Sequence, residues 1–461
     1  MIVAKFGGNC VSNGGMFERI ARILREDRER RTVVVSAVVG VTDAILSFLE
    51  RPREDADISA FVGRLGSQHL ALLPAKDPEA REWLEARATK LERLLFGITY
   101  TEELTPRTRD LILSFGERLS AGVVAADLRR QGEPAVAVEA DALGLVCDEE
   151  FGNATAKLDE VDRRAVPKLR AMIDGGNLPV VTGYFGITPG GHVATFCRGG
   201  SDYSAAVVAH ALRADTVEIW KDVDGFMSAD PRIVPGAFPV PRLSYDEAAE
   251  LAYFGAKVLH PRAVQPARAR AARLVLKNIL RPEDPGTVIE AATDVRPTIK
   301  SVSYIRDLAT LKVYSTGAGY REGAFAAIGG ALQRAGVNIY SATTSQTCVA
   351  FLIDAAAVSR AQEVLGPLED GLVESVDVLP NVALICFVGE GIGSTKGVAA
   401  RVFRAVAEAG VNVQLISAGA SMVAYHFTVD SADLERAVRA VHNEFFGAGT
   451  SARAVRAVAG T

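Results

Sequence analysis

The chain has 461 residues, of which 49% are hydrophobic, and its 51 Lys and Arg against 56 Asp and Glu leave a formal net charge of −5. This length predicts two or three domains with cores that need no disulfides, and the lack of a basic block argues against a nucleic-acid partner. The sequence contains no apolar stretch of membrane-spanning length. The five cysteines are scattered without CxxC spacing, which disfavours a disulfide framework or zinc site. With a strand-like N-terminus in place of a signal peptide, we expect a cytoplasmic protein without membrane partners.

An apolar run at residues 2–4 leads directly into Lys5, Phe6 and the glycine pair Gly7 and Gly8. Glycines beside a lysine are typical of a loop that lets backbone N–H groups approach a phosphate. Paired glycines more often mark plain turns, and Lys5 alone could be a surface lysine at the end of a strand. The loop therefore predicts an anion site only in combination with other signals.

Short β-branched runs at residues 33–35, 180–182 and 217–220 end in polar or charged residues and alternate with helical patterns. Such alternation predicts an α/β fold, with a mostly parallel sheet between helices and ligands bound at the carboxyl ends of the strands. One helical pattern, residues 167–173, carries Pro167 where a first turn tolerates it. The charged, helix-rich segment at about 50–105 is interpreted as an insertion that flanks the pocket.

A second glycine loop occurs at Arg198, Gly199, Gly200, Ser201 and Asp202, directly before an apolar helical run at residues 205–212. A helix N-terminus offers unpaired N–H donors and a favourable dipole to an anion. Asp202 could also be a helix N-cap, a role that does not exclude catalysis. Two such loops, each with a cation, suggest a site for a polyanion together with a carboxylate.

After turn-rich residues 281–297, one pattern occurs twice: a strand, a glycine-containing loop, a helix, and a Gly-Val-Asn turn that leads into another strand. The two turns, at residues 336–338 and 410–412, predict one small βαβ-type module per repeat. A glycine directly after each helix is the expected C-cap.

Six segments, in order, carry a resemblance to a known family: KFGG at 5–8, SFGERLS at 114–120, RGGSD at 198–202, WKDVDG at 220–225, DPR at 230–232 and GAKVLHP at 255–261. This series resembles that of aspartate kinases, and the paired repeats resemble the tandem ACT domains that follow the kinase domain. The resemblance implies an amino acid kinase domain at 1–293 and two ferredoxin-like βαββαβ ACT domains at 299–378 and 379–461. Whether the second ACT domain is interrupted by the first stays open.

The resemblance implies transfer of the ATP γ-phosphoryl group, with Mg²⁺, to the side-chain carboxylate of L-aspartate, the first step of the aspartate pathway. The product is the acyl phosphate 4-phospho-L-aspartate, and no metal site made by protein side chains is implied. The implied catalytic residues are Lys5, which stabilises the transferring charge, and Asp202, which orients it. The implied substrate-binding residues are Ser36, Thr42, Glu117, Arg198 and Ser201. The implied nucleotide-binding residues are Lys5, Gly7, Gly8, Lys221, Asp222, Arg232 and Lys257.

Several of these residues have simpler explanations. Glu117 could be a structural helical charge, although the apolar run around it favours a functional role. An Asx turn is the preferred interpretation of Asp224. His260, before a proline, is more often a packed or capping histidine than a ligand.

The chain departs from the family pattern at three places. Asn9 and Cys10 stand where Thr-Ser is usual, and Cys197 stands where glycine is usual. In the first ACT repeat, Tyr340 and Gln346 stand where lysine-inhibited members commonly carry acids. An effector site implied at Asn338, Ile339, Thr344, Ser345 and Gln346 would lack counter-charges for lysine, which predicts no inhibition by lysine alone. Threonine, another amino acid or no effector stays open.

The resemblance also implies at least a homodimer through residues 300–461. The leading hypothesis is an aspartate kinase under ACT-domain control. The alternatives are a kinase of the same fold for a different amino acid in specialised metabolism, motivated by the departures above, and an inactive amino-acid-sensing protein.

Overall fold

The computed structural model describes residues 1–51, 54–74, 77–197, 199–291, 297–315, 322–366, 368 and 372–447. They form two compact units. The first contains Met1–Phe226, Pro241–Ala249 and residues 257–291, and the second contains Met227–Val240, Glu250–Ala256 and the described residues from 297 onwards.

The first unit is built on an eight-stranded sheet with the order β3-β4-β2-β1-β7-β9-β10-β8. All neighbouring strands are parallel except the β9–β10 pair, which confirms the predicted mostly parallel sheet. A separate antiparallel pair is formed by β5 and β6. The strands are β1 (Ile2–Phe6), β2 (Arg30–Val35), β3 (Ala135–Val138), β4 (Leu178–Thr182), β5 (Phe185–Ile187), β6 (Val193–Thr195), β7 (Thr216–Lys221), β8 (Arg242–Ser244), β9 (Arg273–Asn278) and β10 (Thr287–Glu290).

Two helices of this unit are buried almost all round. Every residue of the helix at Gly200–Leu212 is buried, as are residues 115–128 of the helix at Phe115–Arg130. Burial on all sides is expected for helices that are apolar around their circumference. The helices are α1 (Gly14–Glu26), α2 (Val41–Leu49), α3 (Asp55–Leu70), α4 (Pro78–Tyr100), α5 (Pro106–Leu113), α6 (Phe115–Arg130), α7 (Ala140–Leu143), α8 (Leu158–Asp174), α9 (Gly200–Leu212), α10 (Tyr245–Tyr253, whose residues from Glu250 belong to the second unit) and α11 (Val264–Ala269).

The prediction that Pro167 lies in a first helical turn is wrong. The helix α8 begins nine residues earlier, at Leu158, and Pro167 lies inside it. An interior proline removes one backbone donor and ordinarily disfavours a helix. Here the buried face formed by Val161, Ala165 and Leu169 continues past it, so tertiary packing outweighs the local cost.

The second unit contains an antiparallel six-stranded sheet with the order β12-β13-β11-β14-β16-β15. Its strands are β11 (Ser301–Tyr314), β12 (Ile339–Thr344), β13 (Cys348–Asp354), β14 (Ser375–Val388), β15 (Leu415–Ser417) and β16 (Ala424–Asp430), and its helices are α12 (Ala324–Arg334), α13 (Val358–Leu365), α14 (Val398–Glu408) and α15 (Leu434–Phe446).

The two repeats share the long central strands β11 and β14. Residues 308–314 of β11 pair with β13 of the first repeat, whereas residues 301–305 pair with the half of β14 that also pairs with β16 of the second repeat. A strand that precedes the first repeat therefore joins the sheet of the second. The strand-like run at 453–458, which suggested such intercalation, lies outside the described residues.

Both repeat helices begin and end at left-handed glycines. Gly323 and Gly397 are the N-caps, with φ of 82° and 81°, and Gly336 and Gly410 follow the C-caps with φ of 65° and 69°. This confirms the predicted glycine at the end of each helix, because a backbone with positive φ strongly favours glycine. Among the described helices, none is both long and apolar enough to cross a membrane.

Candidate active site

A cavity of about 420 Å³ opens in the first unit near the carboxyl ends of β1, β2 and β4. Its lining includes Ser36, Thr42, Glu117, Cys197 and Ser201. Ser36 and Thr42 follow β2, whereas Glu117 and Ser201 add a carboxyl and a hydroxyl from two different helices. The fold thus brings four predicted substrate-binding residues to one cavity, at the sheet edge where a parallel fold binds ligands.

Lys5, Asp202 and Lys221 form a buried charge cluster near this cavity. The Nζ atom of Lys5 lies 2.7 Å from Oδ1 of Asp202, and Nζ of Lys221 lies 2.8 Å from Oδ2. Only 4% of Lys5 and 1% of Asp202 are exposed. Burial alone would raise the pKa of Asp202, but the ammonium groups of Lys221 and Lys5 outweigh it and hold the pKa well below its usual range.

Strand pairing explains how this cluster forms. The strands β1 and β7 are parallel neighbours, with Phe6 opposite Trp220, so Lys5 and Lys221 come to the same end of the sheet. Asp202 lies in the first turn of α9, whose N-cap Gly199 has φ of 84°. A single carboxylate therefore pairs with two cations and leaves one net positive charge, and burial lowers the pKa of Lys5 even though the Asp202 charge opposes this.

Glu117 on α6 is the second buried acid of the cavity, with 3% of its surface exposed. Its Oε1 atom accepts a hydrogen bond of 3.0 Å from the backbone N–H of Ala37. Its Oε2 atom is buried and has no hydrogen-bond partner among the described residues. Burial raises the pKa of Glu117 to about 8, although the Ala37 donor acts in the opposite direction. A buried acceptor without a donor is costly unless a ligand supplies one.

The first glycine loop is held against β7 by three hydrogen bonds. Gly7 N–H donates to the carbonyl of Trp220 at 3.1 Å, Cys10 Sγ donates to the same carbonyl at 3.3 Å, and Asn9 Nδ2 donates to Asp222 Oδ2 at 2.8 Å. The amide of Gly7 is thus engaged within the protein. Gly8 opens a short 3₁₀ turn, and a Cβ there would lie 3.0 Å from the carbonyl of Ala37, so the loop packs too closely on its neighbour for a larger residue.

The remaining predicted residues lie elsewhere. Lys257 is exposed in a turn of the first unit. Arg232 belongs to the second unit, where 85% of its side chain is exposed and its guanidinium pairs with Asp230 at 2.6 Å. Arg198 lies outside the described residues. Asp224 accepts a hydrogen bond from Asn278 and pairs with Arg281, so its carboxylate is engaged in contacts within the protein.

The predicted effector residues lie in the second unit around β12. Asn338 precedes this strand, Ile339 and Thr344 are its ends, and Ser345 lies in the following turn, where its N–H donates to the carbonyl of Cys348 at 2.8 Å. The Tyr340 hydroxyl donates to Asp354 Oδ1 at 3.1 Å. The carboxylate of Asp354 is therefore already engaged with a neutral partner.

Arg109 and Tyr184 are among the cavity residues that the sequence did not predict. Arg109 lies on α5, two residues after Arg107, and belongs to none of the sequence motifs. Tyr184 has φ of 76°, a strained conformation for a bulky residue, which no sequence pattern announced.

Comparison with known proteins supports this architecture. Residues 1–278 match the amino acid kinase family, and residues 385–445 match the ACT domain family. Aspartokinase 1, chloroplastic, from Arabidopsis thaliana is 33% identical over 466 residues, covering 97% of this chain and 80% of that protein. A bifunctional aspartokinase/homoserine dehydrogenase from the same plant is 31% identical, and this chain spans about half of it, 51%.

Solved structures give the same result. Escherichia coli aspartokinase III in complex with aspartate and ADP has a TM-score of 0.86 and 28% identity, with 97% of this chain and 100% of that chain covered. The same enzyme in complex with lysine and aspartate has a TM-score of 0.79. The chain therefore belongs to the amino acid kinase family, and within it to the aspartokinases, as its sequence motifs predicted.

Proposed function

We propose that this protein transfers the γ-phosphoryl group of ATP to the side-chain carboxylate of L-aspartate. The observation that carries the proposal is a single cavity where a buried carboxyl, Glu117, faces the same space as Ser201, close to the Lys5–Asp202–Lys221 cluster. Phosphoryl transfer is catalysed mainly by positioning and by neutralising charge. The reacting carboxylate is already ionised at neutral pH, so the transfer requires no general base.

Lys5 and Lys221 are proposed to neutralise the charge of the transferring phosphoryl group. Asp202 holds both ammonium groups within 2.8 Å, so their positions are fixed before a nucleotide binds. A positive charge that is oriented before the reaction stabilises developing negative charge without further reorganisation. Gly8 and Lys257 remain proposed nucleotide contacts, and the proposal for Arg232 rests on the family resemblance alone.

Glu117 is proposed to bind the α-ammonium group of aspartate. Its Oε2 atom is an acceptor without a donor among the described residues, and an ammonium group supplies both the donor and the opposite charge. Ser36, Thr42 and Ser201 line the same cavity and supply hydroxyl groups. Arg198 is proposed, from the resemblance, to hold the α-carboxylate, because a guanidinium fork suits that group.

Mg²⁺ is proposed to arrive with the phosphates of ATP. The described residues contain no group of three or more His, Cys, Asp or Glu side chains that could hold a metal ion. This fits the binding mode of Mg²⁺ in many kinases, where substrate phosphates and one or two carboxylates suffice. Asp222, whose Oδ2 atom accepts a hydrogen bond from Asn9, remains a proposed nucleotide contact.

The second unit is proposed to regulate the kinase domain as two ACT domains at 299–378 and 379–461, following a catalytic domain at 1–293. An amino-acid effector near β12 and a homodimer through these modules are part of this proposal. The scattered cysteines, all without disulfides, support a reducing compartment such as the cytoplasm.

A substrate panel tests the proposed reaction. Purified protein is incubated with ATP, Mg²⁺ and either aspartate, glutamate, N-acetylglutamate or homoserine, and ADP release is followed beside hydroxylamine trapping of acyl phosphates. We expect ADP release and hydroxamate formation with aspartate in equal amounts. Turnover with another acceptor and none with aspartate would contradict the proposal and favour the second candidate, a kinase for a different amino acid, which the unusual Cys197 on the cavity wall motivates.

A further inference from the structure

A thiol of the cavity wall is in contact with the imidazole of a histidine. Cys197 Sγ lies 3.1 Å from Nε2 of His260, and Cys197 lines the same cavity as Glu117 and Ser201. Cys197 is only partly buried, whereas Cys10, Cys147 and Cys386 are fully buried. The structure therefore places one cysteine where a small molecule that enters the cavity meets it.

The backbone at Cys197 is strained. Its φ of 66° lies in the left-handed region, which disfavours residues with a Cβ and suits glycine. A non-glycine residue held in this region persists only when its surroundings enforce it, and such residues cluster at functional sites. The sequence analysis agrees with this strain, because Cys197 stands at a position where aspartate kinases usually have glycine.

His260, the partner of Cys197, is held in place by Asp202 and Gly199. Its backbone N–H donates to Asp202 Oδ2 at 3.2 Å, and its ring lies against Gly199, where a Cβ would come within 3.2 Å of the ring Cδ2. Burial lowers the pKa of His260 to about 4, so the imidazole is neutral at neutral pH. With the proton on Nδ1, Nε2 accepts a hydrogen bond from the thiol.

We propose that Cys197 is a site of reversible oxidation by small peroxides, with His260 relaying the thiol proton to the leaving oxygen, and that its oxidation closes the aspartate cavity. In the proposed step, sulfur attacks one peroxide oxygen, so that an S–O bond forms and the O–O bond breaks. The thiol proton passes through His260 Nε2 to the leaving hydroxide and gives water. Sulfur is oxidised to a sulfenic acid and the peroxide is reduced.

The consequence for activity rests on the proposed function. An added oxygen on Cys197 occupies space in the cavity that Glu117 also lines, so we expect substrate binding to be lost. Reduction by two equivalents of a small thiol releases water and a disulfide of that thiol and restores Cys197. Burial raises the pKa of Cys197 although the Arg262 guanidinium acts in the opposite direction, so the reaction depends on removal of the thiol proton during the attack rather than on a pre-formed thiolate.

Labelling of the full-length protein tests the proposal. Wild type and the variants Cys197→Gly, Cys197→Ser, His260→Asn and Cys348→Ser are treated with hydrogen peroxide and dimedone, a sulfenic-acid trap. Adducts are located by peptide mass spectrometry, and aspartate-dependent ADP release is compared with each variant's own untreated rate. The Cys348→Ser variant is the matched control, because Cys348 is also partly buried but lies on β13 of the second unit.

We expect an adduct at Cys197 in wild type and in Cys348→Ser, with at least tenfold loss of activity that dithiothreitol reverses and aspartate prevents. Both Cys197 variants should keep their untreated rate after peroxide, and His260→Asn should label about tenfold more slowly or less. Labelling at other cysteines only, or equal inactivation of the Cys197 variants, would overturn the proposal. If untreated protein shows no aspartate turnover, the proposed function fails, and the adduct and its dependence on His260 still decide the chemistry.

Discussion

At the scale of single residues, the site depends on charges that are buried in compensating sets. Asp202 is the carboxylate on which two lysines depend, and it also accepts the His260 backbone N–H at 3.2 Å. Glu117 differs from Asp202 in having no bonded cation among the described residues. The backbone N–H of Ala37 donates to its Oε1 atom, and its Oε2 atom has no hydrogen-bond partner there. The first acid is therefore held ionised and the second is held neutral until a ligand arrives.

Replacing Asp202 by Asn should remove this compensation. Lys5 would remain buried beside Lys221 without a counter-charge, and breaking a buried ion pair on one side costs about 3–5 kcal/mol. We expect a lower free energy of unfolding in urea and loss of aspartate-dependent ADP release. Asp215→Asn is the matched control, because it removes an exposed carboxylate paired with the N-terminus and should leave both quantities nearly unchanged. An Asp202→Asn variant as stable as the wild type would show that Lys5 does not need Asp202 as its counter-charge.

The pH dependence of kcat/KM for aspartate should report Glu117. Its pKa in the empty site is raised to about 8, so below this pH the carboxyl is mostly neutral and binds an ammonium group poorly. We expect kcat/KM to rise as the pH increases from about 6 and to level off above about 8. In Glu117→Gln the value should be about 100-fold lower and should not show this rise. The same rise in the variant would assign the ionisation to another group.

At the scale of elements, strand ends and glycine loops were predictable, but contacts between them were not. Runs of β-branched residues located β2, β4 and β7, and the glycine signals located the start of α9. The contacts of Lys221 with Asp202 and of Cys197 with His260 join residues 19 and 63 positions apart in the chain. They depend on which strands become neighbours, and no local pattern encodes that order. The same limit explains Pro167, where packing of distant residues overrides a local preference.

The packing of the helical insertion against α6 is expected to depend on the absence of a side chain at Gly122. Trp83 of α4 lies across Gly122 of α6, where a Cβ would come too close to the indole Cδ1, and the indole Nε1 donates to the carbonyl of Arg118 at 2.9 Å. Gly122→Ala should destabilise the fold by about 1–3 kcal/mol, because the ring must move. Arg87 lies over the same ring, 3.2 Å from its centroid, which restricts that movement.

Gly63→Ala is the control for this substitution in thermal unfolding. Gly63 lies inside α3, and a Cβ added to it would meet no atom of the other described residues within 4 Å. Alanine there should therefore stabilise the protein by up to about 1 kcal/mol through helix propensity. Opposite shifts of the melting temperature in the two variants are expected. Stabilisation by both would show that Trp83 does not restrain α6.

At the scale of the whole molecule, the chain combines an amino acid kinase match at residues 1–278 with an ACT match at residues 385–445. The six-stranded sheet of the second unit ends in β12 and β15, and Ile416 on β15 is 51% exposed. Sheet edges tend to pair with other chains, so we expect a homodimer by light scattering at micromolar concentration. A monomer under these conditions would contradict the predicted assembly.

Lysine alone should not inhibit the enzyme. Tyr340 stands where lysine-inhibited members commonly carry an acid. Its hydroxyl is neutral and donates a hydrogen bond to Asp354, so it supplies no counter-charge for a cationic effector. We expect an unchanged rate of ADP release at millimolar lysine, with threonine measured in parallel. Strong inhibition by lysine would show that other groups supply the counter-charges.

The proposed reaction depends most on Lys5, which is held by Asp202 and is proposed to neutralise the negative charge of the phosphoryl group that moves to aspartate. The most direct test is the steady-state rate of aspartate-dependent ADP release by wild type and by Lys5→Ala. We expect measurable turnover with aspartate in wild type, and a kcat at least about 100-fold lower in the variant, since the lost interaction acts on charge in the transition state. A Lys5→Ala protein that turns over aspartate at the wild-type rate would contradict it.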